Sequence, residues 1–286
     1  MDKRLLFFAG ITLIALALVF DPIHNLYESA GRREYYSHIF LIPLVSGYLV
    51  YLNRKELLKN SSLTFSTGAI MSVGAIALYL LGLAQGAKLT LNDQVAILVF
   101  STIIFWIGGF ILIYGWDAFR KAPFPFLFLV FMVPIPDFLM KKIIYALQVG
   151  SIHVSEILFT LSGVPFEREE FFFRLPGVSV EVAEQCSGIR SSLALLITSI
   201  LAGHFFLDRL WKKVLLALLV FPIAVFKNGL RIMTLSLLGA YVDAGFLTGG
   251  FLHQSGGFLF FVPALGLLGL ALWILRRKAE GARLFT

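Results

Sequence analysis

The chain has 286 residues, of which 58% are hydrophobic and only 14% are charged. Soluble domains typically contain about 45–50% apolar residues, so this composition excludes an ordinary soluble domain and indicates that lipid surrounds much of the chain. The net charge of +7 does not predict nucleic-acid binding, because the basic residues form short clusters between apolar stretches and do not line one exposed face.

The apolar stretches predict about eight transmembrane helices, since about 20 mainly apolar residues cross a bilayer. The first follows Lys3-Arg4 and ends before Asp21-Pro22, and because no small-residue cleavage site follows it, we predict an uncleaved span and no signal peptide. The predicted spans are residues 5–20, 38–52, 67–84, 95–114, 124–140, 188–206, 214–230 and 257–275.

The basic residues predict the orientation of these spans. Fourteen of the 24 Lys and Arg residues lie in alternate connections, at Lys3-Arg4, Asn53-Arg54-Lys55 with Lys59, Arg120-Lys121, Arg209 with Lys212-Lys213, and Arg276-Arg277-Lys278 with Arg283. Connections that are rich in Lys and Arg stay in the cytoplasm. We therefore expect a multi-pass protein of the cytoplasmic (inner) membrane with both termini in the cytoplasm.

The middle of the chain is less apolar and predicts an outer segment, residues 141–186. Polar residues interrupt 137–164, which favours an interfacial or half-buried helix over a ninth span. Residues 167–185 contain a Leu-Pro-Gly turn and alternating Val178, Val180 and Val182, which predict a short extracytoplasmic β-hairpin. The predicted fold class is thus an all-α polytopic membrane protein, organised as one domain over residues 1–286.

Cys186 is the only cysteine, so an intramolecular disulfide is excluded. It precedes the predicted span 188–206, and the partial positive charge of a helix N-terminus favours a thiolate. Arg190 follows four residues later and, on a helix, would place its guanidinium above the same face. The alternative is that Cys186 is a packing residue, since free cysteines are often buried.

The same orientation places Cys186 near the extracytoplasmic surface, and two further polar groups are predicted to lie near that surface. Asn228 and Arg231 are three residues apart where the seventh span ends or is interrupted, and they share a face if that segment is helical. His253 lies between glycines at the mouth of the last span, where an imidazole can accept and donate a proton. The alternatives are arginines that anchor helix ends at the interface and a histidine that caps or packs a loop.

A thiol, an imidazole and guanidinium groups are the residue types that acyl transfer through a thioester requires: a nucleophile, an acid/base and a group that stabilises the oxyanion. The sequence contains no Cys/His cluster with the spacing of a structural zinc site, and its aromatic residues form no stripe that demands a cofactor. We therefore expect neither metal nor cofactor.

Five motifs in order resemble the exosortase/archaeosortase family of polytopic membrane cysteine transpeptidases. Three of them contain the predicted site: Glu-Gln-Cys-Ser-Gly-Ile-Arg at 184–190, Asn-Gly-Leu-Arg at 228–231, and His253 with Gly256-Gly257. Two lie upstream: Tyr36-Ser37-His38 with the later Asn53-Arg54-Lys55, and Phe131-Met-Val-Pro-Ile-Pro-Asp137. The resemblance covers roughly residues 35–275.

The resemblance implies that Cys186 is the nucleophile and that Arg231 and His253 are the other two catalytic residues. Histidine at 253 favours the bacterial branch of the family. Supporting or substrate-binding roles are expected for Glu184, Ser187, Arg190, Asn228 and Arg174, with Arg190 and Arg174 as partners for an acidic recognition residue.

The implied substrates are exported proteins with a C-terminal sorting signal, which consists of a short motif often containing Pro-Glu-Pro, a transmembrane segment and a basic tail. The expected partners are these proteins, membrane lipid, and a polysaccharide or lipid acceptor. Three other functions stay open: a transporter or lipid flippase, an acyl- or glycosyltransferase that uses a lipid-linked donor, and a noncatalytic assembly protein.

Overall fold

The computed structural model describes residues 3–29, 36, 38–58, 65–243, 245–248 and 251–283, without the side chains of 56, 58, 185, 248, 251–258 and 278–283. Its helices are α1 (Lys3–Glu28), α2 (Leu41–Leu58), α3 (Phe65–Ala84), α4 (Leu91–Tyr114), α5 (Trp116–Lys121), α6 (Phe124–Phe128), α7 (Asp137–Ser162), α8 (Ile189–Phe206), α9 (Leu210–Tyr241), α10 (Gly245–Thr248) and α11 (Phe251–Arg283). The chain forms two compact units, Met1–Met140 and Lys141–Thr286. The prediction of a single domain stays a prediction.

Seven helices within the described residues are long and apolar enough to cross a membrane: α1, α3, α4, α7, α8, α9 and the stretch Leu259–Arg277 of α11. Large apolar side chains on their surfaces are exposed, among them Phe7, Leu13 and Ile70. Such surfaces suit lipid contact, because a soluble protein rarely exposes apolar patches of this extent. The predicted all-α polytopic fold class is confirmed.

The structure corrects the prediction at residues 124–140, which are not one span. Short helix α6 is followed by a 3₁₀ turn, Leu129–Met132, and α7 begins only at Asp137. Pro134 and Pro136 explain the break, because proline has no N–H to donate within a helix and disfavours helical backbone in the residue before it. The predicted span 38–52 corresponds to α2, whose last turns contain Arg54, Lys55 and Glu56, and which is not among the seven.

The sequence predicts that residues 137–164 form an interfacial or half-buried helix. They form most of α7, a helix of 26 residues that is long and apolar enough to span a bilayer. Since length and composition do not fix its position in a membrane, the interfacial helix and the outer segment 141–186 stay predictions. Of the polar residues that suggested an interfacial position, Gln148 is buried inside the second unit, whereas Lys141, Lys142 and His153 are exposed.

In the first unit, α4 packs against α1 and α3 and is buried along most of its length. A polar cluster lies near its N-terminus. The Tyr36 hydroxyl donates to Asn92 Oδ1 at 2.6 Å, and Asn92 Nδ2 donates to the carbonyl of Ile135 at 2.8 Å. The Asp93 carboxylate accepts the N–H of Asp137 at 2.8 Å. These bonds hold the proline-containing loop and the first residue of α7 against α4.

The second unit contains a three-stranded antiparallel sheet in the order β1 (Glu167–Glu169), β2 (Phe172–Leu175) and β3 (Val178–Glu181). The predicted hairpin is confirmed as β2 and β3, which pair from Leu175↔Val178 to Phe172↔Glu181 around a Pro176-Gly177 turn. Strand β1 is not among the elements predicted from the sequence. One face of the sheet packs on α7 and α9, in a core that contains Phe159, Phe173, Val182 and Ile232 among its buried residues.

Helices α7 and α9 approach each other closely at Gly229. A Cβ at this position would lie 2.6 Å from Val154 Cγ1, so only glycine fits without a shift. Ser155 Oγ donates to the Gly229 carbonyl at 3.2 Å across the same contact. A second core, of α8, α9 and α11, includes Leu195, Leu216 and Leu268. Helix α9 is thus packed on two sides, which fixes the position of the polar residues in its middle.

Candidate active site

Cys186 lies in a 3₁₀ turn, Glu184–Ser187, between the end of the sheet and the start of α8. Its N–H donates to the carbonyl of Ala183 at 2.8 Å. Its thiol is half-buried and packs beside the core formed by the sheet, α7 and α9. The predicted location just before a helix N-terminus is therefore observed, with one residue, Gly188, between the turn and the helix.

Asn228 holds this turn in place. It is buried, and its Nδ2 donates to the Cys186 carbonyl at 2.7 Å and to Ser151 Oγ at 3.0 Å. One amide group thereby joins the Cys186 turn to α9 and α7. A buried polar contact of this kind fixes the position of the Cys186 turn relative to α9, because breaking it would leave a carbonyl and an amide without partners away from water.

Arg231 lies on the same helix as Asn228, three residues further on. The segment 227–231 lies inside the continuous helix α9, so the helix is not interrupted there, and the alternative that the span ends there stays a prediction. The predicted shared face is therefore observed. Arg231 and Cys186 line one cleft of about 250 Å³, together with Ile232, Leu235, Leu247 and residues 179–182.

Gly188 is required by its backbone conformation and by its surroundings. Its φ of +72° lies in the left-handed region, which side-chain-bearing residues seldom adopt. A Cβ at this position would also lie 3.0 Å from Asn228 Oδ1 and 3.3 Å from Lys227 Nζ. The left-handed glycine separates the 3₁₀ turn that contains Cys186 from α8, which begins at Ile189.

Lys227 is a site residue that is not among those predicted from the sequence. It is buried, and its Nζ donates to Ser191 Oγ in the first turn of α8. Ser191 Oγ in turn donates to the Gly188 carbonyl at 2.9 Å. Lys227 and Arg231 are four residues apart and therefore share a face of α9. Lys227 thus links α9 to the helix that follows the cysteine.

None of the five predicted supporting residues is among the described residues that line the cleft, and Asn228 acts through its bond to the Cys186 carbonyl. Arg190 and Glu184 are exposed, and Ser187 is fully buried. Ser187 Oγ forms no hydrogen bond within the described part of the chain. The helical relation between Cys186 and Arg190 does not hold either, because Gly188 interrupts the helix and α8 begins at Ile189.

Arg174 lies on β2 and pairs with Glu169 of β1. It does not line the Cys186 cleft but a neighbouring one of about 550 Å³, with Glu169, Glu170 and Phe172. Ser179 lines both clefts. Arg174 therefore lies on the strand next to β3, which lines the Cys186 cleft. The Glu169 carboxylate already partly compensates the charge of Arg174.

His253 and the glycines that follow it fall in the N-terminal part of α11, where only the backbone is described, so the position of the His253 side chain lies outside the described residues. Among the side chains that are described, no three His, Cys, Asp or Glu residues cluster as metal ligands would. The expected roles of His253, and the expectation of no metal or cofactor, stay predictions.

The sequence did contain a signal for three site residues on α7 that were not predicted. Gln148, Ser151 and Ser155 recur at helical spacing in an otherwise apolar stretch, which places them on one face. That face points to the site: Gln148 Nε2 donates to the Val182 carbonyl at 3.0 Å, next to the bond between Ser151 and Asn228. Polar residues at this period predict a buried polar contact as well as they predict an interfacial helix.

Comparison with known proteins identifies the family. The family model for transmembrane exosortases matches residues 30–270, a range that includes the Cys186, Asn228 and His253 motifs. No curated protein sequence and no solved structure matches the chain. Because the family model matches most of the 286 residues, the chain belongs to the transmembrane exosortase family.

Proposed function

We propose that the chain is a cysteine transpeptidase that removes C-terminal sorting signals, with Cys186 as its nucleophile. This is finer than the membrane peptidase or transpeptidase activity that the family implies. The observation that supports it is the single cleft that Cys186 and Arg231 line, with Asn228 bonded to the Cys186 carbonyl from the helix that holds Arg231. The nucleophile and a permanently charged guanidinium thereby lie in one cleft, and a hydrogen bond links the segments that hold them.

The proposed reaction begins when the Cys186 thiolate attacks the scissile carbonyl carbon and forms a tetrahedral intermediate. Arg231 stabilises the negative charge on the carbonyl oxygen. The carbon–nitrogen bond then breaks, His253 protonates the leaving amine, and a thioester to Cys186 remains. An acceptor amine, hydroxyl or water attacks the thioester carbonyl, and the thiol of Cys186 is regenerated.

The proposed substrates are exported proteins with a recognition motif, often containing Pro-Glu-Pro, a transmembrane segment and a basic tail. We place the enzyme in the cytoplasmic membrane, with both termini in the cytoplasm and Cys186 at the outer surface. This orientation counts α2 as an eighth span beside the seven candidates. The charge distribution supports it, since the clusters at Lys3-Arg4, Arg120-Lys121 and Arg276-Arg277-Lys278 then all lie in cytoplasmic connections or termini. A polysaccharide or lipid hydroxyl is a further proposed acceptor.

Arg190 is the first of the two arginines proposed as partners for an acidic residue in the recognition motif. It is exposed in the first turn of α8, two residues after Gly188. Arg174, the second, lies on β2 and is bonded to Glu169. A guanidinium binds a carboxylate with two parallel hydrogen bonds, which an ammonium group cannot do. Arg190→Lys is therefore expected to weaken processing, and unchanged processing would exclude the two-bond contact.

The test is to express the chain with a cognate sorting-signal protein and to locate the new C-terminus by mass spectrometry. Cys186→Ala and Cys186→Ser are expected to abolish trimming while the protein still inserts into membranes. Arg231→Ala and His253→Ala are expected to lower trimming strongly. The matched controls are Arg209→Ala, an exposed arginine just before the same helix, and His153→Ala, an exposed histidine on α7.

Normal trimming by Cys186→Ala would reject the proposal. It would mean that the thiol is a packing residue and would favour a transporter or a transferase that uses a lipid-linked donor. If Arg231→Ala and Arg209→Ala lose trimming equally, the effect of Arg231 is on insertion and not on chemistry. The same comparison between His253→Ala and His153→Ala decides whether His253 has a catalytic role.

A further inference from the structure

Strand β3 forms one wall of the cleft that contains Cys186. Four consecutive residues of this segment line it, Ser179, Val180, Glu181 and Val182. The opposite wall consists of Arg231, Ile232 and Leu235 of α9, and Leu247 of α10 contributes beside it. When consecutive residues of a strand line a cleft, its backbone as well as its side chains faces the space.

β3 is an edge strand, since the sheet order is β1-β2-β3 and no strand of the described residues pairs with its other side. Antiparallel strands alternate between residue pairs that exchange hydrogen bonds and pairs that do not. The N–H of Val182 donates to the Phe171 carbonyl at 2.9 Å, so 171 and 182 are a bonded pair. Counting back by two residues, Val180 and Val178 also direct their N–H and carbonyl groups toward β2.

The N–H and carbonyl groups of Ser179 and Glu181 therefore point away from β2. Both residues are exposed, and within the described part of the chain neither backbone group is hydrogen-bonded. Val182 does not extend this free edge, because its N–H is bonded to the Phe171 carbonyl and its carbonyl accepts from Gln148 Nε2. The free edge thus consists of two residues, and it ends where the chain turns toward Cys186.

Resting on the proposed function, we propose that the substrate polypeptide binds as an extended strand beside β3, paired with the backbone of Ser179 and Glu181. Strand addition to an exposed sheet edge supplies affinity through main-chain hydrogen bonds, while pockets for alternate side chains supply specificity. The occupant is the recognition segment of the sorting signal. Its course along β3 brings its backbone to the thiol of Cys186, and Ile232, Leu235 and Leu247 receive its apolar side chains.

The proposal is tested with the full-length protein in detergent and a synthetic peptide that contains a Pro-Glu-Pro recognition motif and the start of its transmembrane segment. Backbone amides outside the scissile bond are replaced by esters one at a time, which removes a hydrogen-bond donor without adding bulk. Two positions that are two residues apart are expected to lower kcat/KM about tenfold each, and the position between them is expected to have no effect.

A matched pair of enzyme variants tests the same bond from the other side. Glu181→Pro removes an N–H that faces away from β2, so the sheet keeps its pairing. Glu181→Ala keeps that N–H and is expected to lose less activity than the proline variant. Thermal unfolding shows whether both variants are folded, and the ester series on the wild type stands if Glu181→Pro is not.

The two proposals fail in different ways. If the wild type does not cut the unmodified peptide, or Cys186→Ala cuts it as well as the wild type, the proposed function is wrong. The strand-pairing proposal, which rests on it, is then wrong as well. If cutting depends on Cys186 but the ester series shows no alternation with a period of two, only the pairing with β3 is overturned.

Discussion

Each of the two units contains a buried asparagine whose side-chain amide donates a hydrogen bond to a loop carbonyl, but the two asparagines differ in their other contacts. In the first unit, Asn92 Nδ2 donates to the Ile135 carbonyl and Asn92 Oδ1 accepts from the Tyr36 hydroxyl. In the second unit, Asn228 Nδ2 donates to the carbonyl of Cys186, but Asn228 Oδ1 has no hydrogen-bond partner within the described residues. Each amide fixes a loop just before a long helix.

The difference teaches how a structural contact is distinguished from a site. The Asn92 cluster is closed, since both ends of its amide are bonded. The Asn228 cluster leaves Asn228 Oδ1 and the neighbouring Ser187 Oγ unpaired within the described residues, and it lies beside a cleft. Buried unpaired polar atoms are rare in native proteins and are concentrated where function requires them. We therefore infer that Asn92 serves folding and that Asn228 serves the chemistry of Cys186.

The largest expected effect comes from replacing the two asparagines with alanine. Asn228→Ala releases the Cys186 carbonyl, and a shift of the nucleophile by about 1 Å is expected to lower product formation about 100-fold. Asn92→Ala removes two buried hydrogen bonds and is expected to destabilise the fold by about 1–3 kcal/mol. Trimming is measured per amount of folded protein, and stability by thermal unfolding in detergent.

The asparagine comparison has a clear contrary result. If Asn92→Ala lowers trimming per folded protein as much as Asn228→Ala does, the closed cluster also serves the reaction. If Asn228→Ala affects only unfolding, the two asparagines are equivalent structural contacts. Ser151→Ala, which removes the other partner of Asn228 Nδ2, is expected to have a smaller effect because the bond to the Cys186 carbonyl remains.

A smaller effect is expected at Gly188, for which Gly177 is a matched control. Both glycines have positive φ, +72° and +81°, so alanine at either position carries a strain of about 1–2 kcal/mol. Only Gly188 faces Asn228 and Lys227, whereas nothing lies within 4 Å of a Cβ at Gly177. Gly188→Ala is expected to lower trimming about tenfold. Equal losses of activity in the two variants would show that strain alone is responsible.

Much of the fold could be predicted from the sequence, because its strongest signals are local. The apolar stretches that form α1, α3, α4, α8, α9 and α11 follow from length and composition, and the β2–β3 hairpin follows from alternation around Pro176-Gly177. The error at 124–140 has a physical cause. Average hydropathy does not register a missing N–H, so a window that spans Pro134 and Pro136 looks like a helix although its backbone cannot continue as one.

The site was predictable in its residue types but not in its contacts. The motifs indicated Cys186, Asn228 and Arg231, and the structure places Cys186 and Arg231 on one cleft. The bond from Asn228 to the Cys186 carbonyl joins residues 42 apart, and no local pattern predicts such a bond. Arg190 shows the opposite error: spacing of four residues suggested a shared face, but one left-handed glycine removed it.

The smallest expected effect separates the two buried lysines of α9. Lys227 donates to Ser191 near the site, whereas Lys212 donates to the carbonyl of Leu275 in α11. Losing a charged hydrogen bond costs about 1.5–3 kcal/mol, but replacing a buried charge with an apolar side chain can offset that loss.

Lys227→Met is therefore expected to keep the fold while trimming falls several-fold, because the first turn of α8 loses its link to the helix that holds Arg231. Lys212→Met is expected to keep the fold for the same reason and to leave trimming per folded protein unchanged. The measurements are the unfolding temperature and the rate of trimming for each variant. If Lys227→Met trims like the wild type, then the bond from Asn228 to the Cys186 carbonyl is sufficient to fix the position of Cys186 relative to Arg231, and the bond from Lys227 to Ser191 is not needed for the reaction.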